Sequence, residues 1–280
     1  MTYDLQTFAS VPLCMEPAAA RSWIARHLGQ PHTTRAEWMA AHRPAGPEIT
    51  AGWWEDMLED ATEHLNVRYD EDSGEAHFQV DGVIWKGADM FLEACYGLYN
   101  TERIARNLEE IAARNDVSAV IITLNTPGGT ARGTLEAAQA IKEYQAASGV
   151  RVAAAVPDLC CSAGYYLASA CELIAASPAA LVGSIGTMAV AVDSSGLYKN
   201  MGFDITLYTG GGDLKGMGSE GVEWTKAWHD KLKGEVEEYR KEFLGFVKSN
   251  RPGISSDSFR GDAFEARKAP KAMIDILREL

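Results

Sequence analysis

The chain has 280 residues, 46% of them hydrophobic, and a formal net charge of −13. That length can bury a large core, as one big domain or two small ones. The acidic balance excludes wrapping of nucleic acid, which needs a basic surface to meet phosphate. The start, Met1-Thr2-Tyr3-Asp4, has no basic residue and no long apolar run after it, so it does not read as a signal peptide. Helical patches are expected over residues 17–28 and 53–65, separated by Pro31, Pro44, Gly46 and Pro47. Trp23, Trp38, Trp53 and Trp54 are concentrated in this arm. Three roles suit them: packing on the main domain, docking on a neighbouring subunit or capsid protein, or membership of a removable pro-segment. Asp70-Glu71-Asp72-Ser73-Gly74 reads as an acidic linker. The boundary is therefore set near residue 75, with a mostly helical arm over 1–75 and an α/β domain over 76–280.

Beyond that point the pattern alternates. A strand is expected at 76–83, and a helix at 101–114 with Ile104, Leu108 and Ile111 on one face. A strand at 118–124 and a helix at 132–147 follow, then a strand at 150–156 and a helix from Ala163. Residues 173–176, 184–192 and 203–209 read as further strands. Residues 223–248 form a long charged helix whose Trp224, Trp228, Val236, Tyr239 and Phe246 offer a face for another protomer. Strands separated by helices indicate parallel βαβ units with right-handed crossovers. Residues 152–192 are apolar, but Pro157, Asp158, Glu172 and Pro178 interrupt them. No stretch has the ~20 uninterrupted apolar residues of a membrane span, and no membrane anchor is expected.

Chemistry is concentrated at three turns. Ser162, in Cys161-Ser162-Ala163-Gly164, lies where a buried strand gives way to a helix. A serine there can cap the helix, its oxygen accepting a free N–H of the first turn. It can also be a nucleophile held out at a strand-to-helix turn. Asn125-Thr126-Pro127-Gly128-Gly129 is the second turn. Its glycine amides can serve as an oxyanion hole, or simply shape a turn. The third is Leu214-Lys215-Gly216-Met217-Gly218-Ser219. A lysine among glycines can be close-packed and dry, and a buried amine is more easily neutral and able to take a serine proton; the plainer role is a solvated loop lysine. Of the six histidines, His27, His32, His42, His64 and His77 precede Ser162, and His229 falls on the charged helix. A histidine base is therefore disfavoured. Ser184, in Gly183-Ser184-Ile185-Gly186, is a glycine-shaped strand-entry residue and at most an assistant, as is Gly128.

The cysteines are Cys14, Cys95, Cys160, Cys161 and Cys171. They form no Cys-x-x-Cys pair and have no histidine neighbour suited to zinc. Their odd count points to a reducing compartment. Cys161 reads as a small residue packed under the turn. No metal, nucleotide or other cofactor is expected.

Thr126-Pro127-Gly128-Gly129, Cys161-Ser162-Ala163-Gly164, Gly183-Ser184-Ile185-Gly186 and Lys215, taken in order, resemble the signal peptide peptidase A family. The likeness is stronger to its protein C type head-maturation proteases of tailed phages, and Leu13-Cys14-Met15-Glu16-Pro17 is shared with that branch. The resemblance implies a Clp protease/crotonase-like spiral of βαβ units. It implies Ser162 as nucleophile, Lys215 as general base, and the amides of Gly129 and Ala163 as oxyanion hole. Clp-type relatives place a histidine roughly 25 residues after the serine, where this chain has Gly186-Thr187-Met188, which favours the Ser-Lys branch. It further implies a homo-oligomeric ring joining serine and lysine from adjacent protomers, a protein substrate such as capsid or scaffold protein, and a cytoplasmic setting or an assembling capsid. Two departures stand out: a longer loop over 210–214, and Ala272-Met273-Ile274-Asp275 where the family has a glycine-containing element. They leave open a non-catalytic assembly scaffold. A soluble signal-peptide-peptidase-like protease is another alternative; acyl-CoA chemistry, which has no use for a serine–lysine pair, is not favoured.

Overall fold

The computed structural model describes residues 13–15, 67–89, 92–93, 96–255 and 259–280. The expected helical patches at 17–28 and 53–65, and the four tryptophans Trp23, Trp38, Trp53 and Trp54, lie outside the described residues. The strands are β1 (Leu13–Met15), β2 (Arg68–Asp70), β3 (Glu75–Asp81), β4 (Val83–Trp85), β5 (Leu98–Asn100), β6 (Ala119–Asn125), β7 (Gly128–Thr130), β8 (Arg151–Val156), β9 (Leu159–Cys161), β10 (Leu173–Ala176), β11 (Leu181–Gly183), β12 (Ala263–Glu265) and β13 (Ile276–Leu277). The helices are α1 (Glu102–Ala112), α2 (Thr134–Ser148), α3 (Ala163–Ala170), α4 (Ser195–Asn200) and α5 (Lys226–Asn250).

The central sheet has the order β13-β10-β8-β6-β3-β2, and every neighbouring pair is parallel except β3–β2. Parallel neighbours need crossovers, and the helical periodicity between strands supplies them. Val120, Ile122, Leu124, Val152, Ala154, Val156 and Ile174 fill one continuous core. Strand β6 alternates between fully and partly buried residues, so Ile121 is less enclosed than its apolar run suggests. A second sheet has the order β1-β7-β4-β5, and a third β12-β11-β9.

Helix α3 is buried along its whole length, which its small and apolar residues permit. It packs between α2 and α5. The Tyr166 ring meets Phe243 at 5.0 Å and stacks on Phe246 at 4.3 Å. Helix α5 thus places Phe243, Phe246 and Val247 against its own chain's core.

Three further expectations change. The acidic run is a hairpin turn between β2 and β3: the Asp70 carboxylate accepts the Asp72 and Ser73 N–H groups, and Gly74 has φ +70°. The strand expected at 184–192 stops at Gly183, because Ser184 takes φ +52° and leaves the extended region. Residues 203–209 form no strand, having no ladder partner among the described residues. Phe203, Ile205, Leu207 and Tyr208 are left exposed.

Candidate active site

Strand β9 delivers Ser162 to the start of α3. Ser162 is 1% exposed and has φ +53° and ψ −116°. A β-carbon is rarely tolerated at such angles, and the strain costs about 1–3 kcal/mol. The hydroxyl makes no cap bond to the helix, so the capping role is not the one it plays. Its Oγ donates instead to the Gly186 carbonyl at 3.4 Å, and its N–H donates to the Gly183 carbonyl at 2.7 Å. Ala163 opens the helix, so its N–H has no acceptor within the helix. That end also carries the positive pole of the helix dipole.

The glycine turn is pinned beside this elbow. Thr126 is fully buried; its N–H donates to Leu159 O at 2.8 Å, and its carbonyl accepts the Cys161 N–H at 3.0 Å. Its Oγ1 accepts the Gly128 N–H at 3.1 Å. Gly128 has φ +105°. Gly129 lies so close to β4 that a β-carbon there would sit 1.9 Å from the Ile84 carbonyl oxygen. Gly164 is equally constrained, since its β-carbon would meet Thr126 Cγ2 at 2.5 Å. The one signal in the sequence for this role of Thr126 is its place beside Pro127-Gly128-Gly129. A glycine inside a helical run, as at Gly164, signals close packing, because it costs helix stability.

Ser184 flanks the elbow, and its N–H donates to Asp262 O at 2.7 Å. Met273 O accepts the Tyr165 hydroxyl at 3.1 Å, tying α3 to the C-terminal segment. There Ala272 has φ +69°, and the buried Arg251 guanidinium holds both Asp275 carboxylate oxygens at 2.8 Å. Cys161 is fully buried beneath the turn, as expected.

Lys215 stands apart. It lies on a 3-10 turn over Asp213–Gly216, anchored by the Trp228 indole N–H donating to Asp213 O at 2.6 Å. The side chain is exposed and makes no hydrogen bond to Ser162. Of the two roles open to it, the solvated loop lysine is the one seen within a single protomer; the packing falls on Gly216, which is buried against Leu207. His229 is exposed against the Trp224 ring, 5.4 Å between centroids. A cavity of about 500 Å³ opens at Gly186, whose carbonyl accepts the Ser162 hydroxyl, and is lined also by Ser184, Met188, Arg240, Phe259 and Arg260. Among the described residues no cluster of His, Cys, Asp or Glu side chains is arranged to hold a metal ion.

A serine at positive φ thus opens a buried helix, with a glycine turn clamped next to it. Residues 144–272 match the model of peptidase family S49, and the chain is a relative of these peptidases, as its motifs indicated. It is 30% identical over 176 residues to the "Probable protease SohB" of Haemophilus influenzae, covering 61% of this chain and 49% of that protein. It is 27% identical over 220 residues to the "Capsid assembly protease C" of Escherichia phage lambda, covering 73% and 46%. It is 33% identical over 121 residues to the "Head-tail preconnector protein GP5" of Enterobacteria phage P21, covering 43% and 24%. The chain spans about half the length of the first two of these relatives and less of the third. No described helix is long and apolar enough to cross a membrane.

Proposed function

We propose that the chain is a serine endopeptidase in which Ser162 is the nucleophile and Lys215 of an adjacent copy the general base. The observation that carries this reading is the Ser162 elbow: a hydroxyl on a strained backbone, released from helix capping. The partner of that hydroxyl is a main-chain carbonyl, which cannot take its proton during attack. A base must arrive from elsewhere. The cavity at Gly186 is open to receive one. Lys215 is exposed next to a segment whose Phe203, Ile205 and Leu207 are themselves exposed. A second copy would bury those side chains and supply the lysine, which makes a homo-oligomeric ring the working form.

In the reaction, the Lys215 amine takes the Ser162 Oγ proton as Oγ bonds to the peptide carbonyl carbon. The Gly129 and Ala163 N–H groups hold the resulting oxyanion. Collapse expels the amine, which receives the proton from Lys215. Water, activated by the same lysine, then frees the carboxylic product from the acyl-enzyme. The similarity to the phage proteins supports a capsid or scaffold protein as substrate, acted on in the cytoplasm or an assembling capsid. It also supports the Clp protease/crotonase-like spiral as the fold.

The test is digestion of unfolded casein by wild type, Ser162→Ala, Lys215→Ala and a refolded mixture of the two variants. Cleavage by wild type, none by either variant and recovery in the mixture support a shared Ser-Lys site. Recovery failing while both singles are inactive puts the lysine in the same copy. An assembled wild type that cleaves nothing leaves a scaffold with a disused site.

A further inference from the structure

Strand β7 carries Gly128 and Gly129 and has two edges. One pairs in parallel with β4 through Ile84 and Gly129. The other is covered by β1, antiparallel, with Leu13 opposite Thr130, Cys14 opposite Gly129 and Met15 opposite Gly128. On the peptidase reading, a substrate must bring one carbonyl beside both the Gly129 amide and Ser162. An extended peptide reaches that point by adding as a strand along the β7 edge, where main-chain hydrogen bonds supply the affinity. That edge is already held by the chain itself.

We propose that Leu13–Met15 is a self-strand seated on the peptide-binding edge of β7, competing with extended peptides for the oxyanion segment. The proposal rests on the peptidase reading for its catalytic consequence, but not for the pairing. Tethering gives the strand an effective concentration on the order of a millimolar. Its three residues make only a short ladder, so a peptide in trans can displace it.

The test uses the full chain with Cys14→Pro or Met15→Pro. In an antiparallel ladder, successive residues point their N–H groups to opposite edges. One of these two variants therefore deletes a bond to β7. Hydrogen exchange at residues 128–130, in the Ser162→Ala background, reads occupancy without activity. The expected result is lost protection in at least one proline variant, restored by adding a synthetic peptide of residues 11–17. Unchanged exchange in both variants, with no effect of the peptide, overturns the proposal. With Ser162 intact, the same proline variant should cleave a fluorogenic casein fragment roughly tenfold faster than wild type, and the peptide should reverse the gain competitively. Unchanged or slower cleavage by a folded variant that has lost protection also overturns it. If nothing is cleaved by any form but the peptide still restores protection, the strand assignment stands and the peptidase reading falls.

Discussion

The Ser162 N–H donates to the Gly183 carbonyl at 2.7 Å, and both residues hold left-handed backbone angles, φ +53° and +110°. The strained serine turn is thereby locked against a glycine turn. The serine side chain is what makes this conformation costly. Ser162→Gly should stabilise the protein by about 1 kcal/mol, because glycine adopts positive φ without steric conflict. Ser162→Ala keeps the β-carbon and should give no such gain. Urea unfolding of the three proteins separates them, and both variants should be inactive.

Gly164 and Thr126 are coupled by space. Gly164→Ala should cost about 1–3 kcal/mol by overpacking, since the new methyl would meet Thr126 Cγ2 at 2.5 Å. Thr126→Ser removes that methyl but keeps the oxygen that accepts the Gly128 N–H. The double variant should recover most of the loss in stability and in casein cleavage. A double-mutant cycle measures the recovery, and strictly additive losses would contradict the contact.

Ala272 has φ +69° in a turn where glycine carries no penalty. Ala272→Gly should raise stability by about 1 kcal/mol. A thermal melt that falls instead would mean that the methyl packs more usefully than the backbone suffers.

The Arg251–Asp275 pair is bidentate, and Asp275 also accepts the Ile174 N–H at 2.8 Å. Asp275→Ala leaves a buried guanidinium without its partner. The expected loss is about 3 kcal/mol, at the low end for such breaks because Asp275 is partly exposed. Chemical denaturation of the full chain checks it.

Burial pushes the Cys171 thiol up from 9.0 to about 12. Between those values the folded chain keeps a proton that the unfolded chain releases, so folding binds more protons. The thiol's contribution is intact below pH 9 and is lost as pH rises toward 12, by at most about 1.4 kcal/mol per pH unit. Unfolding free energies from pH 8 to 11 should fall less steeply in Cys171→Ala.

The βα alternation was legible because each strand and helix carries its own hydrophobic period. Ser162 and the glycine turn were legible because a serine and two glycines fall at strand ends. What escaped depends on distant partners. Residues 203–209 alternate as a strand does, through Phe203, Ile205 and Leu207, yet no ladder partner meets them among the described residues. The acidic run looked like a linker because charge and a glycine mark turns and linkers alike. The clasp at Thr126 runs through its main-chain N–H and carbonyl to Leu159 and Cys161, beyond the reach of local pattern. Lys215 kept its flanking glycines but not its shelter.

The supports of the elbow come late in the chain. Gly183 takes the Ser162 N–H, Asp262 takes that of Ser184, and Met273 takes the Tyr165 hydroxyl. A polypeptide still emerging from the ribosome has made Ser162 long before it has made Met273. Contacts over such separations form slowly, after the loops between them close. The turn that positions the serine is therefore complete only after Met273 has been made, and until then the nascent chain holds Ser162 without that support.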